Sequence, residues 1–332
     1  MGHEVVFYEC DVPYYASHRD FDSTDFCRLV LYSDWDDVQA RAYDDAAESD
    51  VVIHASYCSN GADIINEIFE VAAGLRVFYD LDTPITLEKL SSGKCDYLRA
   101  DQIPAFDLYL SWCGGKTLDQ LEQRWSARKA LPLYGCVDPD VHARVDVPEP
   151  FRCLMSYMGT YAADRHQKFE ELFLKPVRRR PEDIFVLAGS LYPDTSWPSN
   201  LRRYPHVSPH DHPALYSGSR LTLNLTRETM AQCGFCPSGR LFEAAACGTP
   251  IISDWFTGLD QFFTPDEEIF IARNTNDVVR AFDISDAELA RIATRACERT
   301  LAEHTGEHRA KQLVSYLEDA ISGRSKAVAE VA

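Results

Sequence analysis

A chain of 332 residues, 45% of them hydrophobic, is long enough to bury the cores of two domains. Its 33 basic and 52 acidic residues give a net charge of −19, which argues against nucleic acid and anionic lipid as partners. No apolar run approaches the roughly 20 residues that span a bilayer, no signal peptide opens the chain, and eleven cysteines, an odd number, indicate reduced thiols, so we expect a cytoplasmic protein.

Short apolar runs alternate with stretches of helical spacing, and this pattern predicts parallel sheets covered by helices. In the first half, strands are predicted at residues 4–8, 51–55, 76–80, 108–111 and 130–133. Helical spacing covers residues 35–48 and 61–73. Residues 139–150 contain prolines and charges with little periodicity, which indicates a linker between two domains.

The second half repeats the alternation, with strands predicted at residues 153–158, 185–189, 203–207, 221–226, 250–253 and 269–272. Ser285 and Glu288 form a capping-box signature that opens a long helix. Thr305 is predicted to cap the final helix, which we expect to run to about residue 322 before a frayed tail. The predicted division is a first domain at 1–145, a second at 146–303, and a C-terminal helix and tail at 304–332 with the option of packing back on the first domain.

Residues 237–254 combine a polar loop, a short helix of small residues, a glycine stop and a buried strand. Gly248 suits the left-handed end of a helix, and Pro250 prevents the helix from continuing. Glu243 is a carboxylate within an apolar run, which is costly unless it binds something. Arg240 adds a positive charge to the first helical turn, where anions are attracted. The segment offers a phosphate site and a carboxylate for vicinal hydroxyls, which is the outline of a nucleotide-sugar site.

The segment resembles the C-terminal half of GT-B glycosyltransferases, in which a glutamate within E-A-x-A-C-G-x-P-[IV]-I holds the ribose of the donor nucleotide. The resemblance is closest to the spore-maturation CgeB-like glycosyltransferases, and it extends over residues 6–20, 79–86, 158–165 and 224–227. It implies an α/β protein of two Rossmann-like parallel-sheet domains facing a cleft, with the acceptor side at 1–145 and the donor side at 146–303. Retaining relatives often carry a second glutamate where this chain has Phe235, so their mechanism is not carried over.

The beginning of the chain departs from the GT-B pattern, because residues 1–8 resemble the second strand of the first domain. A βαβ unit takes about 30 residues, and none precede this strand. The resemblance implies a first domain without its first strand, and of a truncated sequence and a natural lack of that unit we favour truncation. We expect an open sheet edge beside residues 4–8, donor binding, and poor turnover of the acceptor.

The resemblance places the donor at the carboxyl ends of the second-domain strands. The candidate donor-binding residues follow those strands or belong to the 237–254 segment: Gly159, Thr160, Arg165, Gly189, Val207, Asn224, Arg227, Ser238, Arg240 and Glu243. Arg165 and Lys168 are spaced to clamp a diphosphate from one helix face, while a solvated face is the alternative for Lys168. For Gly159 the alternative is a simple strand-to-helix turn.

An inverting transferase needs a carboxylate or imidazole that takes the acceptor proton. The candidate catalytic residues are Asp82, His18 and Asp11, with Asp20 as a further candidate base. Asp82 directly follows a predicted strand, and its alternative role is to cap the next helix. His18 stands between residues that could make it an ion-paired structural histidine.

Two histidine patterns are set aside. His206, His210 and His212 have a spacing that could ligate zinc, but the loop shows no cysteine or carboxylate ligand set nearby. His304 and His308 stand one helical turn apart, which is typical of a solvated face. We expect no metal site.

The Cys233 and Cys236 pair has redox spacing, yet the chain is not the single small domain of a thioredoxin. We expect both thiols to be dispensable for the chemistry.

The leading interpretation is a metal-independent glycosyltransferase that has no bound cofactor and uses a nucleotide diphosphate sugar as co-substrate. Its acceptor, whether a glycan, a protein or a small molecule, and its oligomeric state stay open. Two alternatives remain: a catalytically silent protein that binds a nucleotide or nucleotide sugar, and a nucleotide-sugar epimerase on the same fold.

Overall fold

The computed structural model describes residues 1–16, 19, 23–147 and 149–331, and the chain divides into two compact units. The first unit comprises Met1–Trp112, Lys116–Leu133 and the residues from Gln312 onward. The second unit comprises Cys113–Gly115 and Tyr134–Lys311.

The first unit is built on parallel strands. They are β1 Val6–Cys10, β2 Arg28–Tyr32, β3 Val51–Ala55, β4 Leu75–Asp80, β5 Leu108–Ser111 and β6 Ala130–Pro132. The helices are α1 Pro13–Ala16, α2 Gln39–Glu48, α3 Gly61–Val71, α4 Thr83–Ser91 and α5 Lys116–Gln123. Strands β3, β4, β5 and β6 form one sheet in that order, and β1 pairs with β2 in a separate two-stranded sheet.

Alternating side chains cover both faces of the four-stranded sheet, as a period of two requires. On one face Phe78 and Tyr109 pack with Ile65 of α3, and all three are buried. On the other face Val77 and Leu110 are buried in a cluster that also receives the last helix. The sheet is therefore sandwiched between helical layers.

The predictions for the first unit differ from the structure mainly at its start. The predicted strands at 51–55 and 108–111 are confirmed, whereas the strand predicted at 4–8 is β1, Val6–Cys10. Strand β2, Arg28–Tyr32, was not predicted, although its five residues are mostly apolar and β-branched or large. It pairs with β1 from Val6 opposite Arg28 to Cys10 opposite Tyr32.

The second unit contains one six-stranded parallel sheet. Its strands are β7 Cys153–Met158, β8 Phe185–Ala188, β9 Leu201–Tyr204, β10 Ser219–Asn224, β11 Ile251–Ser253 and β12 Phe270–Ile271. The helices are α6 His166–Phe169, α7 Lys175–Arg179, α8 His212–Gly218, α9 Glu228–Cys233, α10 Gly239–Ala246, α11 Thr275–Phe282 and α12 Asp286–Glu303. The last helix, α13 Gly306–Val331, begins in this unit and belongs to the first unit from Gln312 onward. A π-helical turn, Glu170–Leu174, joins α6 to α7.

The order of this sheet is β12-β11-β10-β7-β8-β9. The chain therefore starts at β7 near the middle, winds outward to β9, and returns to β10 on the other side of β7. This is the doubly wound order of dinucleotide-binding proteins, in which ligands bind at the carboxyl ends of the two strands where the direction reverses. Those strands are β7 and β10.

The third strand of this sheet was predicted too late. It spans Leu201–Tyr204 instead of residues 203–207, and it pairs with β8 from Leu201 opposite Phe185 to Tyr204 opposite Ala188. Pro205 follows and has no N–H group to continue the ladder. Val207 consequently lies in the loop after the strand.

The helix caps agree with the sequence. The Ser285 hydroxyl accepts a hydrogen bond from the Glu288 N–H group at 3.3 Å at the start of α12. The Thr305 hydroxyl accepts one from the His308 N–H group at 3.4 Å at the start of α13.

Helix α13 continues to Val331, so the end predicted at about residue 322 is wrong. The extension contains a single glycine, Gly323, among good helix formers, and one glycine costs a helix only about 1 kcal/mol. Leu313, Tyr316 and Leu317 of α13 pack on the sheet of the first unit.

Candidate functional site

In the second unit, two arginine side chains lie near the same tyrosine ring. The ring belongs to β7, one of the two strands at which the winding direction of the six-stranded sheet reverses. The guanidinium carbon of Arg165 lies 6.0 Å from the ring centroid of Tyr157, and that of Arg240 lies 5.8 Å from it. Tyr157 is in β7, Arg165 follows that strand, and Arg240 is in the first turn of α10. The fold thus brings two predicted residues together around one that was not predicted.

Both guanidinium groups bond to uncharged oxygen atoms. Arg165 donates to the carbonyl oxygen of Thr160, and Arg240 donates to the side-chain oxygen of Asn224 at 3.4 Å. Burial, together with repulsion from Arg240 and Arg227, lowers the pKa of Arg165. Positive charge is therefore concentrated here without a carboxylate partner among the residues described.

The hydroxyl group of Tyr157 is the buried polar atom at the centre of this cluster. Tyr157 is 1% exposed, and its hydroxyl has no hydrogen-bond partner of ordinary geometry in the described part of the chain. Burying a hydroxyl without a hydrogen-bond partner costs free energy. Such groups are typical of sites that bind a ligand. Nothing in the sequence points to Tyr157 except its place in a predicted strand.

The loops after β7 and β8 touch backbone to backbone. Gly189 has a φ of +140°, and a Cβ atom there would lie 2.2 Å from the carbonyl oxygen of Gly159. That oxygen also accepts a hydrogen bond from the hydroxyl of Tyr192 at 2.8 Å. Only glycine fits at position 189. The contact between the predicted residues Gly189 and Gly159 holds the loop between β7 and Arg165 in place.

Helix α10 carries the predicted carboxylate. Ser238 precedes the helix, and its side chain makes no capping hydrogen bond. Glu243 is half-buried, and its Oε2 atom accepts a hydrogen bond from the hydroxyl of Tyr216 at 3.0 Å. Burial and the charge of Glu243 raise the pKa of Tyr216 far above its usual value, so Tyr216 remains a donor. The carboxylate is thereby held in one orientation with its second oxygen uncommitted to Tyr216.

Two imidazoles lie beside the Glu243 carboxylate. The Nδ1 atom of His212, the first residue of α8, is 4.0 Å from Glu243 Oε2. His142 comes from an irregular segment, and one ligand atom from each of the three side chains lies within 4.8 Å of the others. Burial lowers the pKa of His212, and a backbone hydrogen bond ties it to the buried Val207. Val207 therefore lies next to this cluster, as part of the loop after β9.

Arg227 and Lys168 are engaged with carboxylates. The Nε atom of Arg227 donates to Asp164 at 3.3 Å. The Nζ atom of Lys168 donates to Asp254 at 2.9 Å and to the carbonyl oxygen of Thr226 at 3.3 Å. Lys168 is held by protein groups, so the alternative of a solvated face is wrong, and its place in a diphosphate clamp stays a prediction.

Phe235, which stands where a second glutamate occurs in some relatives, has a structural role. It adopts a φ of +47°, its N–H group donates to the Thr257 carbonyl oxygen, and its carbonyl oxygen accepts from Gly114. Its ring is so close to Gly115 and Gly258 that a Cβ on either glycine would clash with it. The close approach of this aromatic ring explains why glycine occupies both positions.

The first unit holds the predicted catalytic residues. The Oδ2 atom of Asp82 accepts a hydrogen bond from the Tyr57 hydroxyl at 2.8 Å, and its side chain does not cap α4. Asp11 forms an ion pair with Arg19. His18 and the further candidate Asp20 lie outside the described residues.

A second carboxylate of the first unit was not singled out from the sequence. Asp80, the last residue of β4, is fully buried and accepts hydrogen bonds from Tyr109 at 2.6 Å and Thr86 at 2.7 Å. Burial raises its pKa. In the sequence, the feature that could have identified Asp80 is a carboxylate at the end of a predicted apolar strand.

The interpretation of His304 as part of a solvated face is wrong. His304 is 6% exposed, ends α12, and lies 4.4 Å from the ring of Phe242. Its Nδ1 atom accepts a hydrogen bond from Arg309 at 2.6 Å. The residue is buried because it follows the last residue of α12 and packs on Phe242 of α10.

The eleven cysteines are free thiols, and Cys236 of the redox-like pair is buried. No helix among the described residues combines the length and apolar character needed to cross a membrane.

Residues 165–315 match the family model described as "Glycosyl transferase-like". The match includes Arg165, Asn224, Arg240 and Glu243. The second unit therefore contains a glycosyltransferase-like domain. No curated protein sequence matches the chain.

Three solved structures illustrate the likeness in fold. Sucrose-phosphate synthase from Thermosynechococcus elongatus aligns with a TM-score of 0.64 and 12% identity over 97% of this chain and 90% of that one. HepE of Anabaena in complex with UDP-glucose aligns with a TM-score of 0.63 and 11% identity over 88% and 86%. An alpha-glucosyltransferase in complex with UDP-glucose and DNA containing an abasic site aligns with a TM-score of 0.66 and 14% identity over 95% and 91%. The prediction of an α/β protein with two Rossmann-like units of GT-B type is confirmed.

Proposed function

We propose that this chain is a glycosyltransferase that takes a sugar from a nucleotide diphosphate donor bound by its second unit. The observation that carries the proposal is the pair Arg165 and Arg240, which share the ring of Tyr157 and bond only to uncharged oxygens. Positive charges gathered in a partly buried place need an anion to compensate them. A diphosphate supplies that anion, and the same charges stabilise the nucleoside diphosphate as it leaves.

The ribose would be held by Glu243, three residues after Arg240 on the same helix. A carboxylate can accept hydrogen bonds from both vicinal hydroxyls of a ribose, and such charge-assisted bonds are the strong ones. The hydroxyl of Tyr216 fixes the carboxylate from behind. The loop containing Val207 is the proposed neighbour of the base.

The remaining parts of the proposal concern the chemistry and the subgroup. Arginines supply the charge that a metal ion would otherwise supply to the diphosphate, so transfer itself needs no metal. The motifs at residues 6–20, 79–86 and 158–165 support a place near the CgeB-like glycosyltransferases. The first unit would take the acceptor.

Glu243→Ala should weaken UDP binding about 10- to 100-fold, because hydrogen bonds to a charged group contribute about 1.5–3 kcal/mol. Isothermal titration calorimetry with UDP on the full chain measures this. Glu298→Ala is the matched control, since Glu298 is an exposed carboxylate on α12. Circular dichroism establishes that both variants fold.

An affinity for UDP that is unchanged in Glu243→Ala would remove the central claim. If UDP binds and a UDP-sugar is neither transferred nor hydrolysed, the silent binding protein is the correct alternative. If an epimeric sugar forms without any acceptor, the epimerase is correct.

We propose Asp82 as the base that takes the proton of the acceptor, because it follows β4 and its Oδ2 atom accepts a hydrogen bond from Tyr57, which orients the carboxylate. Burial and this hydrogen bond raise the pKa of Tyr57, so Tyr57 stays a donor. Asp82→Asn should lower kcat at least about 100-fold while the Kd for UDP is unchanged. Glu88→Gln on the same helix is the control. A loss of UDP binding in Asp82→Asn would instead indicate a structural role.

The acceptor is constrained by charge. DNA appears with the alpha-glucosyltransferase described above, whereas a net charge of −19 opposes binding of a polyanion to this chain. A glycan, a protein or a small molecule is the proposed acceptor class.

A further inference from the structure

Three side chains that are distant in the sequence lie together in the second unit, and one of them is Glu243, the proposed ribose-binding carboxylate. His142, His212 and Glu243 each place one ligand atom within 4.8 Å of the others. They come from an irregular segment, from the start of α8 and from the middle of α10. The sequence offered His212 only with His206 and His210, and that set has no carboxylate.

The distances suit a shared ion better than hydrogen bonds. His212 Nδ1 and Glu243 Oε2 are 4.0 Å apart, which is too long for a hydrogen bond. Zinc lies about 2.1 Å from imidazole nitrogen and from carboxylate oxygen and is usually tetrahedral, so its ligand atoms lie about 3.4 Å apart. The three ligand atoms lie within 4.8 Å of one another, so binding the ion requires side-chain rotations that draw them together.

His142 lacks the partner that a structural histidine would have. Its Nδ1 atom is buried and makes no hydrogen bond within the described part of the chain. Buried imidazole nitrogens are normally satisfied, and the cost of leaving one unsatisfied is removed when it binds an ion.

The donor set has its own chemical preference. Two imidazoles and one carboxylate are a set that binds zinc in proteins and leaves a fourth position open. Carboxylates and carbonyls alone would favour magnesium or calcium. The set therefore selects a transition-metal ion.

We propose that His142, His212 and Glu243 bind a divalent transition-metal ion such as Zn²⁺, and that this ion competes with the nucleotide. The second half rests on the proposed function, in which Glu243 binds ribose. An ion held by the carboxylate removes the acceptor for the ribose hydroxyls. The ion is thus an inhibitor of donor binding and has no part in the transfer.

The first test uses the metal alone, with Zn²⁺ and Co²⁺ titrated into the reduced full chain without nucleotide. We expect saturable binding of about one ion, with affinity lowered at least about tenfold in both His142→Gln and His212→Gln. His210→Gln is the matched control, because His210 is exposed on the same loop and lies outside the three-residue cluster. Circular dichroism and the thermal midpoint check that each variant is folded.

The colour of the Co²⁺ form separates this site from the eleven thiols. Visible bands without the intense near-ultraviolet absorption of cobalt–thiolate bonds are expected. Absence of saturable binding, equal binding by His142→Gln and wild type, or a thiolate band would each overturn the proposal.

The second test measures the apparent Kd of UDP with and without Zn²⁺. We expect Zn²⁺ to raise it in the wild type and to have no effect in His142→Gln, which keeps the ribose-binding carboxylate. Unchanged or tighter UDP binding in the presence of bound Zn²⁺ would contradict competition. Metal binding without any UDP binding would contradict the proposed function and leave the ion site standing, so the two failures are distinguishable.

Discussion

At the scale of single residues, Tyr157 shows how a neutral side chain can organise a charged site. Its ring presents negative electron density to the guanidinium groups of Arg165 and Arg240, which repel each other. Its hydroxyl is buried, makes no hydrogen bond of ordinary geometry among the described residues, and is available as a donor to an incoming phosphate oxygen. The tyrosine therefore offsets part of the repulsion before the ligand arrives.

His304 makes stability depend on pH. Burial, followed by repulsion from Arg309 and Arg299, lowers its pKa to about 3 from an ordinary value of 6.5. The unfolded chain then binds a proton that the folded chain does not, so stability falls as the pH decreases from about 6.5 toward 3.

Between pH 7 and pH 5 the wild type should lose roughly 1–2 kcal/mol more unfolding free energy than His304→Gln. Urea denaturation at the two pH values measures the difference. His54, whose pKa burial lowers to about 4, contributes equally to both proteins and cancels. Parallel pH dependence of the two proteins would show that His304 is protonated without cost in the fold.

At the scale of elements, helix α10 shows how small residues position the proposed donor site. Ala244 and Ala245 are buried against the sheet and neighbouring helices, so the helix axis can approach closely. Arg240 and Glu243 are one turn apart and only partly buried. The eight-residue helix thereby holds the proposed phosphate-binding and ribose-binding groups at a fixed spacing.

The contact between the loops after β7 and β8 can be tested at Gly189. In Gly189→Ala the Cβ would meet the Gly159 carbonyl oxygen, which is backbone and must shift. We expect a loss of about 2 kcal/mol of stability and UDP binding about tenfold weaker, since the shift displaces the loop before Arg165.

Gly93→Ala is the matched control for this prediction, because Gly93 also has a positive φ, +66°, but no atom within 4 Å of its added Cβ. It should cost about 1 kcal/mol of strain and leave UDP binding intact. Calorimetry and thermal unfolding give both values. Equal effects of the two substitutions would show that only backbone strain matters.

At the scale of the whole molecule, charge and topology act together. A chain of net charge −19 repels most anions. The arginines gathered in the second unit offset this repulsion locally, where we propose that the diphosphate binds. The order β12-β11-β10-β7-β8-β9 brings residues after β7 and after β10 to the same edge. The first unit differs, since β1 and β2 form a sheet of their own and β3 is an edge strand of the other.

The α/β class, most strands of the three sheets, and the helix that carries Arg240 and Glu243 could be predicted from the sequence. These features are local, because an apolar run, a capping residue or a glycine stop depends on neighbours in the chain. Boundaries shifted where pairing decided them, as at β9, which ends with its partner at Tyr204.

Which side chains meet could not be predicted, because it depends on how the strands and helices pack in space. Arg165 and Arg240 share Tyr157, Phe235 fills the space left by glycines, and Lys168 is taken up by Asp254, because sheet order joins segments far apart in sequence. The same holds for His142, whose sequence neighbours give no hint of the carboxylate that it approaches. A ligand set is a property of distances in space, and the chain encodes those distances only through the packing of its two units' sheets and helices.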